Sequence, residues 1–264
     1  MWRDQLIEMV QVPAGTLSWD SATITLSAFK MGKYEVTQEQ YQAVMGTNPS
    51  YFNEGPTIIG YDDFSREPAE GEEQGKRPVE GVSWYEAVEF CNKLSELEGL
   101  TPFYNIDKIN KDPNNKDEDG GKKWLVTTNE TANGFRLPTE AQWEYACRAG
   151  TTTDWYFGST ESQLVNYTWY GTNSNYITHE VGKKLPNAFG LYDMHGNIFE
   201  WCWDWFGNYP TSNQTDYTGA ASGRDRVVRG GSWFLSVEYS RSASRYGDLP
   251  SDGYSDIGFR VVRP

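Results

Sequence analysis

Apolar residues recur at helical spacing in three places, and each place is announced by the same polar signature. Thr37-Gln38-Glu39-Gln40, Ser83-Trp84-Tyr85-Glu86 and Thr139-Glu140-Ala141-Gln142 each set a hydroxyl three residues before a Glu or Gln. This is a capping box, in which the hydroxyl accepts from the new helix and the longer side chain reaches back to the cap. After the second box Trp84, Ala87, Val88, Cys91 and Leu94 follow one helical face. After the third, Trp143, Ala146 and Cys147 do so before Arg148 and Gly150. Each pattern predicts a helix with one buried side. Strand-like runs are short: 10–12, 23–26, 29–36 leading into the first helix, 124–126, 227–229 and 258–262. Alternation and β-branched residues argue for extended backbone there. Segments 53–77 and 105–123 are polar, and they predict an exposed insertion and a solvated hairpin tip. The tip carries Asp117, Glu118 and Asp119 without the EF-hand spacing of a calcium loop. No internal repeat or linker interrupts the chain, so residues 1–264 are expected to form one domain.

Composition sharpens this picture. Apolar residues make up 38% of the 264, but aromatic residues make up 15%, with 11 Trp and 17 Tyr. Each large ring buries roughly 150–250 Å², so the core is expected to be built from aromatic clusters. The net charge is −14, with 23 Lys and Arg against 37 Asp and Glu. Binding to nucleic acid or to an anionic membrane needs a basic face, and none is expected here. No apolar run reaches the roughly 18 residues of a membrane span, and the opening MWRDQLIEM lacks a signal-peptide pattern. Cys91, Cys147 and Cys202 are three and widely spaced. They are expected to be buried free thiols. With His179 and His195 the only histidines, a zinc site is not expected.

Several motifs come in an order that resembles one family. They are Met9-Val10-Gln11-Val12-Pro13-Ala14-Gly15, Tyr34-Glu35-Val36-Thr37 and Pro78-Val79-Glu80-Gly81-Val82-Ser83-Trp84. Phe135-Arg136-Leu137-Pro138-Thr139-Glu140 through Ala146 follows, then Asn187-Ala188-Phe189-Gly190-Leu191-Tyr192-Asp193-Met194 and Gly196-Asn197-Ile198-Phe199-Glu200-Trp201. Arg229-Gly230-Gly231-Ser232-Trp233 and Gly258-Phe259-Arg260 end the series. The whole resembles the formylglycine-generating-enzyme, or sulfatase-modifying-factor, family. The resemblance implies an α+β domain, a C-type lectin fold with few helices, short strands and much irregular structure.

Enzymes of that family hold copper with two cysteines shortly after the Gly-Gly-Ser-aromatic motif, as a soft Cu(I) ion demands. Leu235 and Ser240 stand at those positions, and no cysteine follows Cys202. The resemblance therefore implies a protein that is not an enzyme and carries no catalytic cofactor. The alternative is a metal-dependent oxidase or another enzyme on the same scaffold; a structural or chaperone-like relative is a third reading.

Between Trp233 and Ile257 no periodicity places the chain in a core. Tyr239, Tyr246 and Tyr254 alternate with Ser236, Ser240, Ser242, Ser244, Ser251 and Ser255, the rigid-aromatic and small-polar mixture of a paratope. The chain also resembles the variable proteins of diversity-generating retroelements. In these, template adenines rewrite ligand-binding codons inside a fixed Gly-Gly-Ser-Trp to Gly-Phe-Arg frame. That resemblance implies a diversified region at 226–264 and thirteen ligand-binding positions. They are Phe234, Leu235, Ser236, Tyr239, Ser244, Tyr246, Gly247, Asp248, Leu249, Asp252, Tyr254, Ser255 and Asp256. Rewriting the adenines of an AAC codon keeps its final C, and such codons cannot encode Trp, Met, Lys, Gln or Glu. All thirteen residues pass, while Glu238 does not and is assigned to the frame.

Arg241, Arg245 and Arg260 are expected to be scaffold, paired with carboxylates or laid on rings. Asp193, Gly196, Ile198 and Glu200 match positions of a structural calcium in the enzymes, with His195 read as a hydrogen-bonded loop residue. The expected partner is a protein ligand, and the expected location is a bacterial or phage surface, or secretion.

Overall fold

The computed structural model describes residues 6–53 and 65–264. Expectations for residues 1–5 and for 54–64 of the polar segment lie outside these.

The chain opens with four short strands, β1 (Met9–Val12), β2 (Gly15–Trp19), β3 (Ala22–Leu26) and β4 (Phe29–Gly32). Helices α1 (Gln38–Met45) and α2 (Trp84–Leu97) follow, then strands β5 (Tyr104–Lys111) and β6 (Trp124–Thr128) and helix α3 (Glu140–Arg148). The second half holds one helical turn, α4 (Leu164–Tyr167), and strands β7 (Phe199–Trp205), β8 (Gln214–Thr215), β9 (Arg226–Arg229), β10 (Arg245–Asp248), β11 (Ile257–Gly258) and β12 (Val262–Arg263). Short helices with strands in small mixed sheets make this an α+β fold.

All three capping boxes form as the spacing predicts. Thr37, Ser83 and Thr139 accept from the backbone of Gln40, Glu86 and Gln142, whose side chains return the bond. Helix α2 buries Trp84, Ala87, Val88, Cys91 and Leu94 as expected. Its face packs into an aromatic core with Phe199, Trp201, Val228 and Phe259. Trp143, Ala146 and Cys147 of α3 enter a second core with Leu191, Met194, Cys202 and Val227. All three thiols are buried and unpaired.

The four-stranded sheet that carries β10 runs β10-β9-β7-β11, with β11 parallel to β7 and the other pairs antiparallel. Its register puts Glu200, Arg229 and Arg245 in one cross-strand row and Trp201, Val228 and Tyr246 in the next. Because strand side chains alternate between faces, these rows point to opposite sides. The ionic row meets α3. The apolar row faces the aromatic core and, at its β10 edge, solvent.

Several expectations are corrected. The strand expected over 29–36 stops at Gly32, where the chain turns away from the β1 and β12 ladder. The closing run expected at 258–262 is broken: Gly258 ends β11 and Val262 begins β12, in different sheets, with 259–261 between them outside any strand. Segment 105–123 is strand as far as Lys111, paired with β6, because Tyr104 and Ile106 give it an apolar side. Within its tip Asp117 is buried rather than solvated, with its carboxylate taking the Asp119 N–H at 2.8 Å. In the polar segment 53–77, Arg77 is buried, 5.1 Å over the Phe52 ring and bonded to Thr178 at 3.0 Å. The segment after Trp233 contains β10, so it is not wholly irregular.

Candidate ligand-binding surface

The frame at the start of this segment depends on a glycine. Gly231 has φ +78°, and a Cβ there would lie 2.9 Å from the Ser240 Cα. Only glycine accepts both the left-handed backbone and the close approach. The chain can then turn back through Trp233 into a short 3₁₀ turn, Val237–Ser240.

Buried groups pin this turn. Burial presses the His195 imidazole down to about 3, so it is neutral. Its Nε2 takes the Tyr156 N–H at 3.1 Å, and its ring also hydrogen-bonds the Ser240 backbone. Trp155 donates to the Ser240 hydroxyl at 3.3 Å, and Ser242 donates its N–H to the Asp154 carbonyl at 2.7 Å. Ser240 and Ser242 are therefore buried parts of the frame, not adaptable surface groups.

The arginines act from beneath. Arg229 is fully buried, pairs with Glu144 at 2.5 Å, and donates to the Ser242 carbonyl at 3.0 Å and to the Ser244 carbonyl. Arg245 grips the Glu140 carboxylate with two bonds, 2.7 and 2.6 Å, and lies 4.6 Å over Phe206 and 4.4 Å over Tyr209. Glu140 and Glu144 are four residues apart on α3, hence on one face. Arg241 lies 5.7 Å from the Trp155 ring. Arg260 holds both oxygens of Glu200, each at 2.7 Å.

The calcium positions cluster near that last pair without making a cage. The Glu200 carboxylate takes two bonds from Arg260 and a third from Trp143 at 2.8 Å. Asp193 Oδ2 takes the Gly182 N–H at 2.7 Å, and its Oδ1 is buried without a partner. Gly196 packs against the Trp169 carbonyl with φ +90°, and Ile198 takes part in a small apolar cluster. Calcium needs six to eight oxygens. With Glu200 held by a guanidinium, Asp193 Oδ1 is the one side-chain oxygen of these four residues left without a partner, so their side chains do not form a cage for the ion. Among the described residues no group of three or more acidic, His or Cys side chains could hold a metal.

None of the thirteen ligand positions is buried. Phe234, Ser236, Tyr239 and Tyr254 are exposed; Leu235, Ser244, Tyr246, Gly247, Asp248, Leu249, Asp252, Ser255 and Asp256 are half-buried. Six of them, Leu235, Tyr239, Tyr246, Gly247, Asp248 and Asp256, line one open cavity of about 210 Å³. Tyr239 and Tyr246 stack there, centroids 5.0 Å apart at 23°. Tyr254 and Asp252 lie beside each other, joined at 3.1 Å. Trp233, by contrast, is buried, with Phe234 tilted against it.

The frame holds these positions largely through their backbones. Gly171 donates to the Leu235 carbonyl at 2.8 Å, Gly81 to Tyr254 at 2.9 Å and Phe199 to Asp256 at 2.8 Å. Trp233 Nε1 donates to the Ser255 carbonyl at 3.0 Å. Tyr246, Gly247 and Asp248 are held by the β9 ladder. Any side chain offers these same backbone groups. The clearest exception is Asp256, whose carboxylate also takes the Ser232 hydroxyl at 3.0 Å. The backbone tethering could not be read from the sequence, because each tether joins residues far apart in the chain.

Comparison with known proteins agrees with this architecture. The model of the sulfatase-modifying factor enzyme 1-like domain matches residues 2–264. A solved structure, Treponema denticola variable protein 1, superposes with a TM-score of 0.83 at 43% identity, covering 97% of this chain and 95% of that one. The chaperone protein LppX of Paenibacillus barcinonensis is 39% identical over 93% of this chain and 84% of its own length. The formylglycine-generating enzyme of Streptomyces coelicolor is 35% identical over 49% of this chain and 46% of its own. The chain belongs to the sulfatase-modifying-factor family, in the formylglycine-generating-enzyme type of C-type lectin fold.

Proposed function

We propose that this protein is a non-enzymatic binder whose surface over 226–264 is diversified to recognise varied ligands, chiefly proteins. The observation that carries the reading is that seven of the thirteen positions, Leu235, Tyr246, Gly247, Asp248, Tyr254, Ser255 and Asp256, are tethered to the frame through their backbones. None of their side chains is buried, although Leu235 and Tyr246 rest on the aromatic core, and buried Arg229, Trp233 and His195 hold the chain beneath them. Such a surface can change its chemistry without losing its fold. Similarity to a protein named for its variability supports the same reading. A surface or secreted location suits it, and no helix among the described residues is long and apolar enough to cross a membrane.

The oxidase reading has less to stand on. Leu235 lines the open cavity and Ser240 is buried under Trp155, so the positions of a copper-binding thiol pair present a methyl-bearing chain and a hydroxyl. The remaining thiols lie in cores, with burial pushing Cys147 up to about 12. Thiolates, which bind Cu(I), do not form there. The protein with added copper is expected to leave a cysteine-containing sulfatase peptide without aldehyde.

The direct test is a pair of libraries. Randomising the thirteen positions should leave most members folded, whereas randomising Trp233, Ile257, Phe259 and Arg260 should leave few. Equal losses would overturn the reading. In the neighbouring DNA, a near-copy of the sequence encoding 226–264 that differs at adenines is expected beside a reverse transcriptase gene.

A further inference from the structure

Resting on that binding reading, we infer that the cavity between β10 and the 3₁₀ turn takes a lysine or arginine side chain of a partner protein. Its apolar lining is Phe199, Val228, Leu235 and Ile257, its wall the stacked Tyr239 and Tyr246, and its acidic margin Asp248 and Asp256.

The three parts match the three parts of such a side chain. At about 210 Å³ the cavity is smaller than the roughly 300–1,000 Å³ that houses a drug-sized ligand, so it suits one long side chain. An aliphatic stem buries against Leu235 and Ile257 while its charged end stays at the polar margin. Tyrosine rings in a cavity wall attract a cation through their quadrupoles. Phe199 meets Tyr246 edge-on at 5.6 Å, which fixes the ring from below.

Among the described residues that line it, the cavity has no cation of its own. Tyr246 and Asp248 are two residues apart on β10 and share a face. Arg245, one residue before Tyr246, points the other way into Glu140. Among the described residues Asp248, Asp252 and Asp256 form no ion pair, while the nearby Arg224 is engaged by Asp119 and Asp225. Burial, then the neighbouring Asp252, Asp225 and Asp256 carboxylates, push Asp248 above the usual carboxylate range. Burial does the same to Asp256. A positive charge would relieve both groups; an anionic or purely apolar occupant would relieve neither.

A random-peptide display library is the probe. Peptides are selected on the full chain and counter-selected on the Tyr239→Ala/Tyr246→Ala variant, so that survivors use this cavity. Enrichment of Lys or Arg is expected. Affinity should fall about ten-fold or more for Asp248→Asn/Asp256→Asn, and should weaken with added salt. Both Asn side chains keep an oxygen for the Leu249 and Ser232 bonds, and an unchanged melting temperature verifies folding. Survivors without Lys or Arg, or indifferent to the double Asn variant, overturn the cation assignment and leave the binding reading standing. A library that yields no survivors overturns both.

Discussion

Arg245 and Glu140 are 105 residues apart in the chain and joined by two hydrogen bonds, at 2.7 and 2.6 Å. The pair ties the edge strand of the proposed binding surface to the first turn of a capped helix. Arg245 therefore faces away from the cavity, although both its sequence neighbour Tyr246 and its near neighbour Asp248 line it.

Removing the arginine should show its structural role. Glu140 is nearly fully buried, so Arg245→Ala leaves a carboxylate with Arg229 alone, at 3.6 Å. Breaking such a buried pair costs about 3 kcal/mol. Urea unfolding should read that loss, and a cost below about 1 kcal/mol would mean that the pair does not anchor β10.

Gly231→Ala tests the turn. The new methyl meets the Ser240 Cα at 2.9 Å, from a backbone with φ +78°. Strain of this kind costs about 1–3 kcal/mol. Amide exchange is expected to quicken across Val237–Ser240 first, before the β7–β9 ladder responds.

His195 sets an acid-sensitive term. Its folded value, about 3, lies below the ordinary 6.5, so on acidification the unfolded chain takes up this proton first. The stability it contributes is present above about pH 6.5 and is lost as pH falls from there toward 3, by up to about 1.4 kcal/mol per unit. Glu80, Asp204 and Asp193, raised by burial to about 8, 7 and 6, act in the opposite sense, since their protonated forms are the ones the fold favours. Comparison with His195→Gln isolates the histidine. Between pH 6.5 and 4.5 the stability difference between wild type and variant should move against the wild type by roughly 2–3 kcal/mol.

Chelation provides a fourth check. With Glu200 bound by Arg260 and Trp143, dialysis against EDTA should leave the melting temperature unchanged. A fall restored by calcium would show that the Arg260 pair yields to the ion. Breaking the same pair by Glu200→Gln should cost about 3–5 kcal/mol, because Arg260 is fully buried.

Local signals were legible wherever a few adjacent residues carry the physics. The capping hydroxyls of Thr37, Ser83 and Thr139, with their returning Glu or Gln, complete their hydrogen bonds within four residues. The helices and their buried faces could therefore be read directly. The ordered motifs, ending in Gly230-Gly231-Ser232-Trp233 and Gly258-Phe259-Arg260, carried the family and with it the fold class. Strand β7 was not legible: Phe-Glu-Trp-Cys-Trp-Asp-Trp is buried on both faces, so it shows no clean polar alternation.

The surface itself was decided by tertiary structure. The sequence named thirteen positions, but not that Tyr239 and Tyr246 stack, that Asp248 faces a cavity while Arg245 does not, or that Ser240 and Ser242 are buried. Each of those outcomes depends on partners from elsewhere in the chain: Glu140, Asp154, Trp155, His195, Phe199 and Arg229. Nearest-neighbour chemistry fixes a helix cap, whereas the direction of a strand's side chains is fixed by which strands lie beside it and what covers each face. Only the folded chain brings those together.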